Sequence, residues 1–218
     1  MAFFNTKVAA VLMAMTLAPT AQAATVNLID NADFEAGYTD FTSDYANTYL
    51  NSGGPGSANL APHLATASWG SPIQGDRVGD HTTGTGLALF VSGSTESVSS
   101  FWKQSVQLTP YTNYAFTVWG TKWANDSIQA LTLNGVQLGS FTIDTLKDHW
   151  AQYTVRFNSG SVSNGILGLV NLSTEAIGNG FAVDDLSLVP VSPVPLPAPA
   201  ALLLAGLGSL TLLRRKRA

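Results

Sequence analysis

The sequence contains no cysteine and few charged residues, and both scarcities narrow the class of protein. With no cysteine among its 218 residues, the chain has neither disulfide bonds nor cysteine-ligated metal sites. Asp, Glu, Lys and Arg make up only 11% of it. Five of the ten Lys and Arg residues and all fourteen Asp and Glu residues lie between Ala24 and Val189, so this segment has a net charge of −9. Such an acidic segment argues against nucleic acid or anionic lipid as its partner.

The common catalytic motifs are also missing. The sequence has no P-loop, no Gly-x-Ser-x-Gly, no His-Glu-x-x-His and no dinucleotide fingerprint, and its three histidines are far apart. The best catalytic candidate is a Gly-rich stretch in which Asp76 and Asp80 flank His81, where a general base or a carboxylate pair could be built. The alternative is that Asp80 and Thr82 cap turns beside a strand. We therefore expect no enzyme activity, with a glycan-active enzyme as the competing hypothesis.

The N-terminus has the three parts of a secretory signal peptide. Lys7 precedes an apolar stretch from Val8 to Leu17, and the small-residue site Ala21-Gln22-Ala23 follows. We expect cleavage between Ala23 and Ala24, so that residues 1–23 are removed and the rest is exported.

The C-terminus combines a proline motif, an apolar run and a basic cluster. Residues 190–197 form a Pro-rich linker, and the apolar run 198–213 contains 16 residues, which as a helix would rise about 24 Å against a hydrocarbon core of about 30 Å. Residues 214–218 hold four cations, which stay on the cytoplasmic side of a membrane. The motif and the cations are Val194, Pro195, Leu196, Pro197 and Ala198, followed by Arg214, Arg215, Lys216 and Arg217.

This order and spacing resemble the PEP-CTERM sorting signal of Gram-negative bacteria, in its Val-Pro-Leu-Pro-Ala form. Leu196 stands where the Pro-Glu-Pro form has Glu. The resemblance implies that an exosortase, an integral membrane protease with a Cys nucleophile, cleaves near the motif. The exported domain would then pass from the inner membrane to the cell surface or extracellular matrix. The alternative is a tail anchor that is kept permanently.

Between these ends, the residue pattern is that of short β-strands. Tyr114, Phe116 and Val118 alternate with smaller or polar residues, and the same period of two recurs along the segment. Asn134-Gly135 predicts a type I′ hairpin turn. We expect strands over nine stretches and long loops over Gly37–Gly86. The predicted strands are Thr25–Ile29, Gly86–Val91, Val98–Leu108, Tyr111–Trp119, Ile128–Leu133, Val136–Ile143, Trp150–Phe157, Ile166–Leu172 and Gly180–Leu188.

The two ends of this all-β segment, residues 24–189, resemble the opening and closing signatures of galactose-binding-like jelly rolls, a group that includes carbohydrate-binding modules. The opening reads Asn27-Leu-Ile-Asp-Asn-Ala-Asp-Phe-Glu35, and the closing strand contains Val183-Asp184-Asp185-Leu186. The resemblance implies a jelly-roll β-sandwich and a structural Ca²⁺ held by Glu35 with Asp184 or Asp185. Carboxylate oxygens are the ligands that Ca²⁺ prefers. The alternative is that Asp184 and Asp185 are solvated at a strand end or bulge.

Aromatic side chains indicate where a glycan could bind, because the apolar face of a sugar stacks on an exposed ring. Trp102, Trp119 and Trp150 fall in or next to predicted strands, where packing is the expected role. Trp69 and Trp123 fall in irregular segments and are the candidate sugar platform, with Asn125 and Asp126 as hydrogen-bonding partners. The sequence therefore predicts an exported sandwich that binds extracellular polysaccharide or serves as a structural module.

Overall fold

The computed structural model describes residues 26–47, 56–61, 79–95, 99–122, 125–146, 149–175 and 178–191. The signal sequence, the sorting motif, the apolar run and the basic cluster lie outside these residues. The described chain contains ten strands and no helix, and hence no helix that is long and apolar enough to cross a membrane. The strands are β1 (Ala46–Asn47), β2 (Ser57–Ala61), β3 (Ala88–Ser92), β4 (Ser100–Gln107), β5 (Asn113–Lys122), β6 (Ser127–Leu133), β7 (Val136–Ile143), β8 (Ala151–Asn158), β9 (Asn164–Asn171) and β10 (Phe181–Pro190).

These strands form two sheets that pack face to face, which confirms the predicted β-sandwich. The larger sheet has the order β1-β2-β3-β10-β5-β8, and the smaller has the order β4-β9-β6-β7. All pairs are antiparallel except β1 with β2. Asn134 and Gly135 have φ values of 51° and 79° and connect β6 to β7, as their sequence predicts.

The core lies between the sheets and follows the alternation that is visible in the sequence. Tyr114, Phe116 and Val118 of β5 are buried in it. Trp102 of β4 is also buried, as predicted. At β10 the inward positions are Phe181 and Val183 and then Leu186 and Leu188, because a bulge between Asp184 and Ser187 inserts one residue.

The strand predictions were wrong in two places. Residues 26–29 form no strand, because the Asn27 side chain binds the backbone that a strand would pair with: its Oδ1 accepts Leu188 N–H and its Nδ2 donates to Leu186 O. Conversely, β1 and β2 lie within the region expected to be loops. The stretch Ser-Ala-Asn-Leu-Ala of β2 has no β-branched residue to signal a strand.

Candidate functional site

A loop from Gly79 to Gly86 covers the outer face of β10, and Asp80 organises it. The buried Asp80 carboxylate accepts hydrogen bonds from the backbone N–H groups of Thr82, Thr83 and Gly86 at 3.1, 2.7 and 2.7 Å. Burial alone would raise the pKa of Asp80, but these hydrogen bonds outweigh it and hold the pKa below its ordinary value. Asp80 therefore caps this loop, as the alternative interpretation of the sequence predicts.

Asp184 lies on the outer face of β10 beneath this loop. It is 1% exposed, and its two oxygens accept the backbone N–H groups of His81 and Asp185 at 2.9 and 2.8 Å. Burial raises the pKa of Asp184 to about 7, the two hydrogen bonds oppose the rise, and the nearby charges of Asp185 and Asp80 add to it. The two backbone hydrogen bonds thus stabilise the ionised carboxylate of Asp184 less than burial destabilises it.

The side chain of His81 binds Asp185, the residue that follows Asp184 in β10. Its Nδ1 lies 2.6 Å from Asp185 Oδ2, and Thr82 Oγ1 donates to the same oxygen at 2.5 Å. The imidazole is stacked on the indole of Trp119 with 3.7 Å between centroids, and it meets the edge of Trp150 at 6.0 Å. This arrangement orients the imidazole and fixes Asp185. Of the two aspartates that flank His81 in the sequence, Asp80 binds backbone groups of its own loop and Asp76 lies outside the described residues.

Each of the three predicted calcium ligands binds protein groups. Glu35 Oε1 accepts the backbone N–H of Leu87 at 2.6 Å. A Cβ added to Gly86 would lie 2.1 Å from Glu35 Oε1 and 3.1 Å from Asp80 Cγ, so these two carboxylates approach the same glycine. Asp185 is bound to His81 instead. Over the described parts of the chain, no group of three or more His, Asp or Glu side chains has the arrangement of a metal site.

The predicted sugar platform lies mostly where the structure does not describe the chain. Trp69 and Trp123 are outside the described residues. Asn125 and Asp126 are exposed in the segment before β6, where Asn125 N–H donates to Gly178 O at 2.8 Å and Asp126 pairs with Lys122. Their exposure leaves both side chains accessible to solvent.

The described surface contains a groove on the outer face of the smaller sheet, which we call the outer groove. It consists of two adjoining cavities of about 470 and 490 Å³ that share Ser105 of β4 and Ile166 of β9. Ile166 is 51% exposed and supplies an apolar floor. Polar side chains surround it. The lining residues are Asp30, Asp40, Phe41, Thr42, Lys103, Gln104, Ser105 and Ile166 in one cavity and Ser105, Val106, Gln107, Asn134, Asn164, Gly165 and Ile166 in the other.

One wall of the outer groove is held in place by Gln104. Its Nε2 donates to the carbonyl oxygens of Asp30 and Asp40 at 2.9 and 2.7 Å, and its Oε1 accepts Asp30 N–H at 3.0 Å. The oxygen and the nitrogen of this buried amide both form hydrogen bonds with the segment from Asp30 to Asp40. These bonds tie the segment to β4. The wall is thus pre-formed.

The sequence interpretation missed this groove, although one signal for it was present. In β4, Lys103, Ser105 and Gln107 alternate with buried residues and so share the outer face of the sheet. No local sequence pattern indicates that β9 and the Asp30–Asp40 segment lie beside these β4 residues. The binding of His81 to Asp185 had no signal, because 104 residues separate the two.

Comparison with known proteins supports the fold and leaves the family open. The sequence matches no protein-family model and has no significant match among curated proteins. The Stig cyclase Fisc from Fischerella sp. TAU superimposes with a TM-score of 0.52 at 12% identity, covering 77% of this chain and 98% of the cyclase. At this identity the likeness shows the fold alone.

Two further structural neighbours are carbohydrate-binding modules, and both superimpose with lower TM-scores. The CBM22-1 xylan-binding domain of Paenibacillus barcinonensis Xyn10C has a TM-score of 0.46 at 15% identity, covering 75% of this chain and 94% of the domain. TmCBM61, solved in complex with β-1,4-galactotriose, has a TM-score of 0.47 at 17% identity, covering 76% and 99%.

Proposed function

We propose that this chain is an exported cell-surface or extracellular-matrix protein whose sandwich binds polysaccharide in the outer groove. The observation that carries the proposal is the groove itself, with its pre-formed wall and its exposed Ile166 among polar side chains. Each cavity lies in the size range of about 300–1,000 Å³ that is typical of ligand sites.

The chemistry of the outer groove suits a neutral sugar chain. A sugar presents an apolar face and a rim of hydroxyls, and the groove offers the apolar Ile166 together with donors and acceptors at Ser105, Gln107 and Asn164. Asn134 stands at its margin, where its Oδ1 accepts Ile166 N–H at 2.9 Å. Because three hydrogen bonds from Gln104 tie the wall to β4, less conformational entropy is lost on binding than for a free loop.

Delivery to the surface is the second part of the proposal and rests on sequence. The signal peptide exports the chain, residues 198–213 enter the inner membrane, and an exosortase cleaves near Val194–Ala198. The folded sandwich extends to Val191, whose N–H donates to Asn113 O at 2.8 Å. Only two residues, Ser192 and Pro193, then separate it from the motif.

We also propose that a hard divalent cation, Ca²⁺, binds beneath the Gly79–Gly86 loop. Asp184 fits this role, because it is a buried carboxylate that lies near the negative charges of Asp185 and Asp80. Glu35 would be the second ligand. The cation would neutralise the clustered charge and tie the Glu35 segment to β10.

The glycan proposal is tested by oligosaccharide-array binding followed by calorimetry with the best ligand. Ser105→Trp fills the outer groove and is expected to abolish binding. Thr154→Trp places the same bulk on an exposed position of β8 in the larger sheet, and is expected to bind normally. If Ser105→Trp binds as well as the parent while Trp123→Ala does not, the outer groove is excluded and the segment containing Trp123 is the site.

A further inference from the structure

The end of the sandwich from which the chain leaves toward its C-terminus differs in charge from the opposite end, and we call it the tail end. Strands β4, β8 and β10 end there, and β10 leads directly to Val191. Two loops that cross between the sheets and one hairpin turn complete it. These segments are Leu108–Thr112, Ser159–Ser163 and Asn134-Gly135.

The tail end contains no carboxylate, although the domain is strongly acidic. No Asp or Glu occurs in residues 26–29, 106–115, 133–137, 155–166 or 187–191. Their single charged residue is Arg156. Of the three cations in the described residues, Lys103 and Lys122 pair with Asp44 and Asp126, whereas Arg156 has no ion-pair partner there.

Large apolar side chains project from the same end. Tyr111 is 77% exposed, Val26 is 74% exposed and Val136 is 66% exposed. Tyr111 adopts a φ of 56°, a left-handed conformation that is unfavourable for a bulky residue. Three contacts hold its loop: Tyr111 N–H donates to Gly160 O at 2.5 Å, Thr112 N–H to Ser159 Oγ at 3.0 Å, and Ser159 Oγ to Thr109 O at 2.8 Å. The fold thus maintains an unfavourable backbone conformation that presents an aromatic ring to solvent.

We propose that the tail end rests on the surface of the lipid bilayer while the C-terminal run is in the membrane. This inference depends on the proposed membrane insertion of residues 198–213. Seven residue steps from Val191 to Ala198 span at most about 25 Å, so the tail end is held close to the bilayer. Tyrosine favours the membrane–water boundary, and Arg156 is available to a lipid phosphate.

Charge also favours contact of the tail end with the bilayer over contact of the opposite end of the sandwich. Anionic headgroups repel carboxylates, which the opposite end of the sandwich presents and the tail end does not. The acidic domain as a whole is thus a poor ligand for anionic lipid, whereas its tethered end is compatible with it. The opposite end, with Asp126, Asp144 and Glu175, then points away from the membrane.

The test uses the full chain, whose lack of cysteine allows a spin label at one introduced position. Thr109→Cys places the label beside Tyr111, and Leu146→Cys places it on the 74% exposed residue after β7 at the opposite end. In vesicles of equal parts phosphatidylethanolamine and phosphatidylglycerol, we expect a water-soluble nickel chelate to relax the label at 109 several-fold less than the label at 146. Adding Tyr111→Ser should restore access at 109, while adding Ile128→Ser at the opposite end should not.

Two results overturn the inference, and they are distinguishable from failure of membrane insertion. One is equal nickel access at both positions in a chain that stays in the vesicles after an alkaline carbonate wash. The other is a label at position 109 that is shielded from nickel only after the processing protease is added. That result would show that the tail end contacts a protein and not the lipid. A chain that carbonate removes from the vesicles contradicts the proposed membrane insertion first, and the inference fails with it.

Discussion

Asp184 and Asp185 are consecutive residues of β10, yet their carboxylates have entirely different partners. Asp184 is buried and accepts two backbone N–H groups, whereas the Asp185 side chain is 26% exposed and binds His81 and Thr82. The β-bulge causes the separation, because Asp185 has a φ of 46°. Two adjacent acidic residues are thus tolerated in an otherwise apolar strand.

The pH dependence of the free energy of unfolding should reveal the ionisation of Asp184. Its pKa is about 7 in the folded state and about 3.8 when unfolded, so the folded state binds more protons between these values. We expect the free energy of unfolding, measured by urea denaturation without Ca²⁺, to fall as pH rises from about 4 to 7, by up to about 4 kcal/mol at 1.36 kcal/mol per pKa unit. Above pH 7 this contribution is constant.

Asp184→Asn should remove most of this slope, and the exposed Asp126→Asn should leave it unchanged. Asp80 does not reverse this fall in stability. Its pKa is lowered on folding, so its contribution to the free energy of unfolding changes only below about pH 4. At pH 8, Ca²⁺ should raise the midpoint of the parent but not of Asp184→Asn, since binding requires the ionised carboxylate. A flat pH profile for the parent would contradict the assignment to Asp184.

The approach of Glu35 to Gly86 can be measured by a double-mutant cycle. Gly86→Ala places a methyl 2.1 Å from Glu35 Oε1, so Glu35 must move and lose its bond to Leu87 N–H. We expect a loss of stability of about 1–3 kcal/mol in chemical denaturation. In a Glu35→Ala background, the same glycine substitution should cost less by about 0.5 kcal/mol or more. Additive effects would show that the two positions do not interact.

Two buried glutamines should respond differently to the same substitution. Gln104 makes three hydrogen bonds to the Asp30–Asp40 wall. Gln129 is also buried, and its Nε2 donates to Ser127 Oγ and Asn171 Oδ1, but its Oε1 has no partner among the described residues. We expect Gln104→Met to cost about 1–3 kcal/mol and to speed hydrogen exchange of residues 30–40. Gln129→Met should cost less than Gln104→Met, because it loses only two side-chain hydrogen bonds, one of them 3.4 Å long, and also removes an unsatisfied buried acceptor. The reverse ranking in urea denaturation would refute this account.

Processing of the tail can be measured by intact mass spectrometry of protein recovered separately from membrane and medium. In cells that contain the processing enzyme, we expect a species that begins at Ala24 and ends between Pro195 and Ala198. Replacing Arg214 to Arg217 with Ser removes the cytoplasmic cations and should reduce that species. Recovery only of a membrane-bound chain that ends at Ala218 would instead indicate a permanent anchor.

Much of the architecture was predictable, because strand periodicity is a local property. The alternation in β5 and β8 and the Asn134-Gly135 turn are each read from adjacent residues, and they lead to a two-sheet sandwich. The prediction was wrong over residues 26–29, where the Asn27 side chain competes for the backbone of β10. Competition of this kind depends on a neighbour about 160 positions away, which no local pattern reveals.

The sequence by itself predicts the segment organisation of this protein, since the patterns that indicate a signal peptide and a sorting tail are contiguous, and it determined the all-β class. Tertiary structure alone decided which polar groups meet: His81 with Asp185, Asp184 beneath the Asp80 loop, and Gln104 with the wall of the outer groove. The physical reason is that hydrophobic periodicity acts over a few residues, whereas binding sites form where the two sheets and their loops bring distant segments into contact.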